Sequence, residues 1–178
     1  MKTLQSVTNQ PSAFSFGIPG GYIGSRHASS TLFQDNQYIR ELNHTLLVEL
    51  GNIQLFKKAS GYNLKNLPMD FCLSEHQVSA RVLTMIIIAN KGLPVDGGST
   101  FQTELSLVAT QFSGLMPEKV AKRTIVRTLR NSEKWTLKRY DQLLKVCPGT
   151  DRQTIEGLKQ KSFQILVKLQ TIEKILAK

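Results

Sequence analysis

Two glutamates interrupt apolar faces of this 178-residue chain. Glu49 falls within the series Ile39, Leu42, Leu46, Ile53 and Phe56, whose steps of three and four residues mark one face of a helix. Glu133 shares a second such face with Leu129, Leu137 and Tyr140. A carboxylate without a partner in a core is costly, so each of these needs a cation or a hydrogen-bonding neighbour. Arg81, Tyr140 or a water could serve. Of the three histidines, His44 belongs to the one Glu-x-x-His spacing, Glu41-x-x-His44. At about 100° per residue, His44 lies nearly opposite the Ile39–Phe56 face, so the pair reads as a surface contact. His27 precedes the helical pattern, and His76 is expected in the first turn of its helix, away from the core stripe. No histidine is therefore expected beside either interior glutamate.

Other chemistry is sparse. Cys72 and Cys147 are 75 residues apart, with no Cys-x-x-Cys and no histidine at metal-ligand spacing, so two buried thiols are expected. No serine, cysteine or histidine arrangement suggests nucleophilic catalysis. Gly97-Gly98-Ser99 lacks the lysine and the spacing of a phosphate-binding loop and reads as a helix cap.

The elements that would position these residues are all helical. The first is expected over Asp35–Ser60. The second opens at the capping box Ser74-Glu-His-Gln77, carries Val78, Val82, Met85, Ile86 and Ala89 inward, with Leu83, Ile87 and Ile88 widening the stripe so that most sides are covered, and stops at Lys91-Gly92. Here Glu75 lies in the first turn, about one and a half helix pitches out of level with Glu49. A connecting helix follows over Thr100–Ser113. The next starts at Pro117 and ends before Pro148-Gly149. The last opens at Thr150-x-x-Gln153 and turns Ile155, Leu158, Ser162, Ile165, Leu169, Ile172 and Leu176 inward. Four long helices and one connection predict an all-α four-helix bundle.

The length suggests one domain, with residues 35–178 expected to make the bundle and residues 1–34 an extended N-terminal arm. The arm contains no acidic residue, and Gly17, Pro19, Gly20, Gly21 and Gly24 oppose regular structure. Chain termini are usually loose, yet Phe14, Phe16, Ile18, Tyr22 and Ile23 are apolar anchors that a purely solvating tail would not carry. The charge is uneven. The chain is +10 overall, and residues 118–178 hold 15 basic against 6 acidic side chains. Lys119, Arg123, Arg127, Arg130, Lys134 and Lys138 step by three and four along one strip of the helix that carries Glu133. Like charges at that spacing repel unless something acidic lies over them.

The segments Asn90-Lys-Gly-Leu-Pro-Val-Asp-Gly-Gly-Ser99 and Asn131-Ser-Glu-Lys-Trp-Thr-Leu-Lys-Arg-Tyr-Asp-Gln-Leu-Leu144, with the short helix between them, carry a family likeness. They resemble an uncharacterised bacterial ferritin-like family, related at fold level to rubrerythrins and bacterioferritins. The likeness spans roughly residues 36–177. It implies a ferritin-like bundle and, in many such folds, two irons held between the helices. That centre needs a glutamate from each of two helices and a Glu-x-x-His from each of the other two. Glu49 and Glu133 match the first requirement. The second fails at Val78, three residues after Glu75, and at Ser162, Ile165 and Leu169. The two glutamates then read as the remnant of a former site, with a two-carboxylate mononuclear site as the lesser alternative.

The expected function is a non-catalytic, cofactor-free component that docks on a larger acidic protein assembly. Arg123, Arg127, Arg130, Lys134 and Lys138 would make the electrostatic contacts, and Phe14, Phe16 and Tyr22 the buried ones. The competing readings are a di-iron oxidoreductase or iron-handling protein and, behind it, a nucleic-acid-binding stress protein. Self-association is compatible with the fold. The longest wholly apolar run, Met85–Ala89, is far short of the ~20 residues of a membrane-spanning helix. Met1-Lys-Thr-Leu-Gln-Ser has no apolar core of a secretory signal, so a cytoplasmic location is expected.

Overall fold

The structure is a computed structural model. It describes residues 26–62, 64, 67–97, 103, 106, 107, 110 and 115–177, with side chains from Gln37 onward. Among these residues there are four long helices and no strand: α1 (Arg26–Ala59), α2 (Met69–Ala89), α3 (Glu118–Val146) and α4 (Gly149–Ala177). Phe14, Phe16, Tyr22 and the rest of residues 1–25 lie outside the described residues. Helix α1 begins at Arg26, nine residues before the expected Asp35.

The helices form a four-membered ring in which α1 packs on α2 and α3, and α4 packs on α3 and α2. Short turns make α1/α2 and α3/α4 antiparallel pairs. Residues 90–117 cross from one end of the bundle to the other, so α2 and α3 run in the same direction. This crossover follows α1. The Asn43 amide donates to the Leu93 carbonyl and its oxygen accepts from Val95 N–H, both at 3.0 Å. Farther along, Tyr62 donates to the Thr110 carbonyl at 3.1 Å. Thr103 sits directly over Gly51, where a Cβ would collide with its side chain, so glycine permits the approach. Thr103, Ser106, Leu107 and Thr110 are helical. The remainder of the expected Thr100–Ser113 helix lies outside the described residues.

Three of the four helices bury the faces their periodicity indicates. Leu42, Leu46, Glu49 and Phe56 are buried on α1, Ile125, Leu129, Glu133 and Tyr140 on α3, and Ile155 through Ile172 on α4. Helix α2 differs. It starts five residues before Ser74, with Pro68 preceding its first turn and no side-chain cap. Its buried residues are Cys72, His76, Ser79, Ala80, Leu83 and Ile87, whereas Val78 and Met85 of the expected stripe are exposed. Val78 is 200° around the helix from His76, while Leu83 and Ile87 are fully buried and Val82 and Ile86 pack against the core edge.

The core is divided. Leu55, Phe56, Ala59, Cys72, Ile125, Leu129, Ile165 and Leu169 fill one end. Tyr38, Leu42, Leu46, Leu83, Ile87, Leu143, Ile155 and Leu158 fill the other. Between them lies a buried polar layer of Glu49, Asn52, His76, Ser79, Ser132, Glu133, Thr136 and Ser162. Cys72 and Cys147 are free and belong to opposite apolar halves, so they do not approach one another.

Helix α2 ends in a hydrogen-bonding pattern of the Schellman type, with Gly92 N–H on the Ile87 carbonyl at 2.8 Å and Lys91 N–H on that of Ile88 at 2.9 Å. The left-handed residue is Lys91, at φ 59°, and not the glycine beside it. Gly92 is needed for a different reason: a Cβ there would stand 2.8 Å from Ile39 and 2.9 Å from Ile87. Replacing Gly92 by alanine should therefore destabilise the bundle by about 1–3 kcal/mol, the range for overpacking. Urea titration of the two proteins measures this; an unchanged midpoint would mean that α1 and the crossover yield without cost.

Candidate functional site

All four helices contribute to the polar layer, and each does so with the residue type its neighbours require. The α1 face brings Glu49 inward, and α3 presents Glu133 and, two turns on, Tyr140. Helix α2 inserts His76 between the two carboxylates. His76 Nδ1 is 2.6 Å from Glu49 Oε2, and Nε2 is 2.8 Å from Glu133 Oε1. The first contact is a hydrogen bond; the second is close but angled away from hydrogen-bond alignment. The remaining oxygens are also engaged. Tyr140 donates to Glu49 Oε1 and Ser162 of α4 donates to Glu133 Oε2, each at 2.5 Å. Ser79 hydrogen-bonds Tyr140. His76 and both glutamates are at most 1% exposed.

This overturns the placement of His76. Because α2 begins at Met69, His76 lies in its third turn, level with Glu49 and Glu133, and is the partner both carboxylates require. Tyr140 meets Glu49 as anticipated, while Arg81 is exposed. Ser162, expected to face inward, is buried and donates to Glu133. Two signals pointed to His76: Leu83 and Ile87, seven and eleven residues on, share its face of α2, and two interior carboxylates lacked a cation. Glu75 lies in the second turn and pairs with Lys161 at 2.8 Å. Glu41 stands 3.9 Å from the half-exposed His44 and accepts a closer contact, 2.7 Å, from Arg139.

The electrostatics of the layer follow from its burial. Desolvation disfavours the imidazolium, but Glu133 and Glu49 on either side outweigh it and lift the His76 pKa to about 10. The ring is thus a cation at neutral pH. Burial, reinforced by Glu49, pushes the Tyr140 phenol well above its usual range, keeping it a neutral donor. Burial beside Glu133 raises the Cys72 thiol to about 12, so it is no nucleophile. Next to this triad, Asn52 donates to Thr136 at 2.8 Å and accepts from Ser132 at 2.5 Å, tying α1 to α3 a second time. The Phe56 ring lies against His76, with centroids 4.9 Å apart.

A di-iron centre does not fit these donors. A metal needs a neutral imidazole with a free lone pair, whereas both His76 nitrogens face carboxylate oxygens and the ring carries a proton. Leu73 stands where a Glu-x-x-His ending at His76 would need its glutamate, and Ser162 and Ile165 occupy the level of α4. Among the described residues no group of three or more His, Cys, Asp or Glu side chains is arranged to hold a metal ion. The imidazolium stands where a cation between two carboxylates is required.

The basic residues occupy the opposite side of α3. Lys119, Arg123, Arg127, Lys134 and Lys138 are exposed, and none has a carboxylate partner among the described residues. Lys138 lies 5.3 Å over the Trp135 ring. Arg130 departs from the row: it is only half-exposed and is held by Glu173 of α4. Among the described residues no helix is long and apolar enough to cross a membrane. No family model, curated protein or solved structure matches the chain.

Since the His76 pKa is raised above its ordinary 6.5, the stability it contributes is complete below pH 6.5 and lost as pH rises through about 10. Thermal midpoints should therefore fall over that window, and the fall should be much smaller in His76→Gln. That variant leaves two buried carboxylates without their cation and should cost about 3–5 kcal/mol at pH 7. Adding Glu49→Gln should restore part of the loss. Equal pH profiles for the wild type and His76→Gln would show that the ring is not charged.

Proposed function

We propose that this protein is a non-catalytic, ferritin-like bundle that serves as a docking component of a larger acidic protein assembly. The resemblance in residues 36–177 supports the ferritin-like assignment, and the down-running α2 and α3 joined by one long crossover accord with it. The polar layer supports a structural interior. Its donors are turned on one another, its tyrosine and cysteine are held protonated, and none faces an opening to solvent. The reading of the exterior rests on one observation: five exposed cations in a row along α3 that meet no carboxylate among the described residues. Like charges at four-residue spacing are unfavourable in isolation, and an acidic surface laid over them removes that cost.

Nucleic acid is the rival occupant of such a strip. It is the weaker reading because one basic helix face, with Trp135 already covered by Lys138, is no recognised nucleic-acid module. Arg130, being held by Glu173, belongs less to the docking face than Arg123 and Arg127. Affinity capture at low salt, repeated with Arg123→Glu/Arg127→Glu and with Arg130→Glu, tests the assignment. The double reversal should abolish retention of acidic proteins. The Arg130 reversal should chiefly lower stability, by about 1 kcal/mol, since it breaks a half-buried pair and opposes two carboxylates. Retention that survives the double reversal would make the row a solvated surface, and retention lost on nuclease treatment would assign it to nucleic acid.

A further inference from the structure

The strip is not uniform along its length. At its N-terminal end, Lys119, Arg123 and Arg127 border a cleft of about 270 Å³ whose other lining residues are Val120, Thr124, Leu176 and Ala177. Val120 is 50% exposed, and Leu115, Met116 and Ile175 are exposed at the same end of the bundle. Lys134 and Lys138, farther along, do not line it. Three cations on one wall thus stand beside an apolar floor supplied by the start of α3 and the end of α4. The cleft is smaller than the ~300–1,000 Å³ of pockets that enclose drug-sized ligands, so it suits a side chain rather than a cofactor. The cations repeat every four residues, about 6 Å apart along α3 and about 12 Å in total, which is also the rise between carboxylates four residues apart on another helix.

Resting on the reading of the strip as a protein-docking face, we propose that the cleft between the α3 start and the α4 end is the anchor point. Its occupant is an acidic amphipathic helix that lays carboxylates at i, i+4 and i+8 along Lys119, Arg123 and Arg127 and inserts one large apolar side chain over Val120 and Leu176. The charge row alone would accept any polyanion. The apolar floor beside it selects a partner that carries both features.

The test uses the full chain, ¹⁵N-labelled, with two helical peptides of equal charge. One carries glutamates at i, i+4 and i+8 flanked by leucines; in the other each leucine is serine. A 20-base-pair DNA duplex is the third probe. The leucine peptide should bind about tenfold more tightly than the serine peptide, shifting amide resonances around residues 119–127 and 175–177. Val120→Asn, which leaves every charge in place at an exposed position, should erase that difference. Arg123→Glu/Arg127→Glu should abolish binding of both. Equal binding of the two peptides, unaffected by Val120→Asn, would overturn the anchor while leaving the strip as a docking face. Failure of both peptides to bind would also overturn it, and the capture experiment with the double reversal then decides the strip separately. Tighter binding of the duplex than of the leucine peptide would overturn both in favour of a nucleic-acid surface.

Discussion

Two carboxylates removed from water must be given a positive charge, and in this bundle that charge is the ring of His76. The effective penalty for burying an ion is several kcal/mol even after relaxation, and mutual attraction repays it only with near-complete hydrogen bonding. The layer approaches this condition by drawing on every helix, with Glu49 from α1, His76 and Ser79 from α2, Glu133 and Tyr140 from α3 and Ser162 from α4, and it leaves the His76 Nε2–Glu133 Oε1 contact as an ion pair out of hydrogen-bond alignment. Such an arrangement is a poor source of net stability, since well-packed apolar residues would serve as well. Its worth lies in what it forbids. The two apolar halves could tolerate a slip of one helix along another, exchanging one leucine contact for a similar one. The triad cannot, because a slip of one turn, about 5.4 Å, would leave a buried charge without its partner.

That constraint explains which parts of the structure were legible in the sequence. The stripes of α1, α3 and α4 contain enough large apolar residues that periodicity alone orients them, and the interruptions at Glu49, Glu133 and Ser162 sit within those stripes. Helix α2 misleads for a definite reason. Val78, Val82, Met85 and Ala89 form one apolar row, yet the row that is buried runs through Cys72, His76, Ser79, Ala80, Leu83 and Ile87. Hydrophobicity is a sum over the whole environment. Once α1 and α3 each bring a carboxylate inward, the face of α2 that meets them is chosen by charge compensation and hydrogen bonding. The capping box at Ser74 compounded the error, since a true start at Met69 moves His76 from the helix entrance to the bundle's mid-depth. Pairing Glu49 and Glu133 with His76 required knowing the depth of each, and the start expected at Ser74 put the histidine at the wrong one.

Helix α3 links this interior to the outer surface. Its inner face supplies Glu133, Tyr140, Ser132 and Thr136 to the polar layer, while its outer face carries the exposed cations. An amphipathic helix usually opposes apolar to polar. Here the inner face is itself half polar, so the orientation of α3 is set by specific bonds as well as by burial: Tyr140 to Glu49, Asn52 to Thr136, Glu133 to Ser162. Rotating the helix to hide its cations would break all three. The strip is therefore held outward whatever its own repulsion costs, and Arg130 is relieved by Glu173 of α4.

The same bonds determine the geometry of the cleft at the end of the bundle. Glu133–Ser162 and Arg130–Glu173 fix the stagger of α3 against α4, and the cleft is made where the start of one meets the end of the other. Arg123 lies ten residues from Glu133, about 15 Å along the axis, so nothing in the polar layer touches it. A displacement of α4 by one turn would nevertheless carry Leu176 about 5.4 Å past Val120 and separate the apolar floor from the charged wall. The buried cluster and the surface cleft are thus related through register and not through contact: the interior chooses one alignment of the helices, and in that alignment three exposed cations and a patch of apolar surface come to lie side by side.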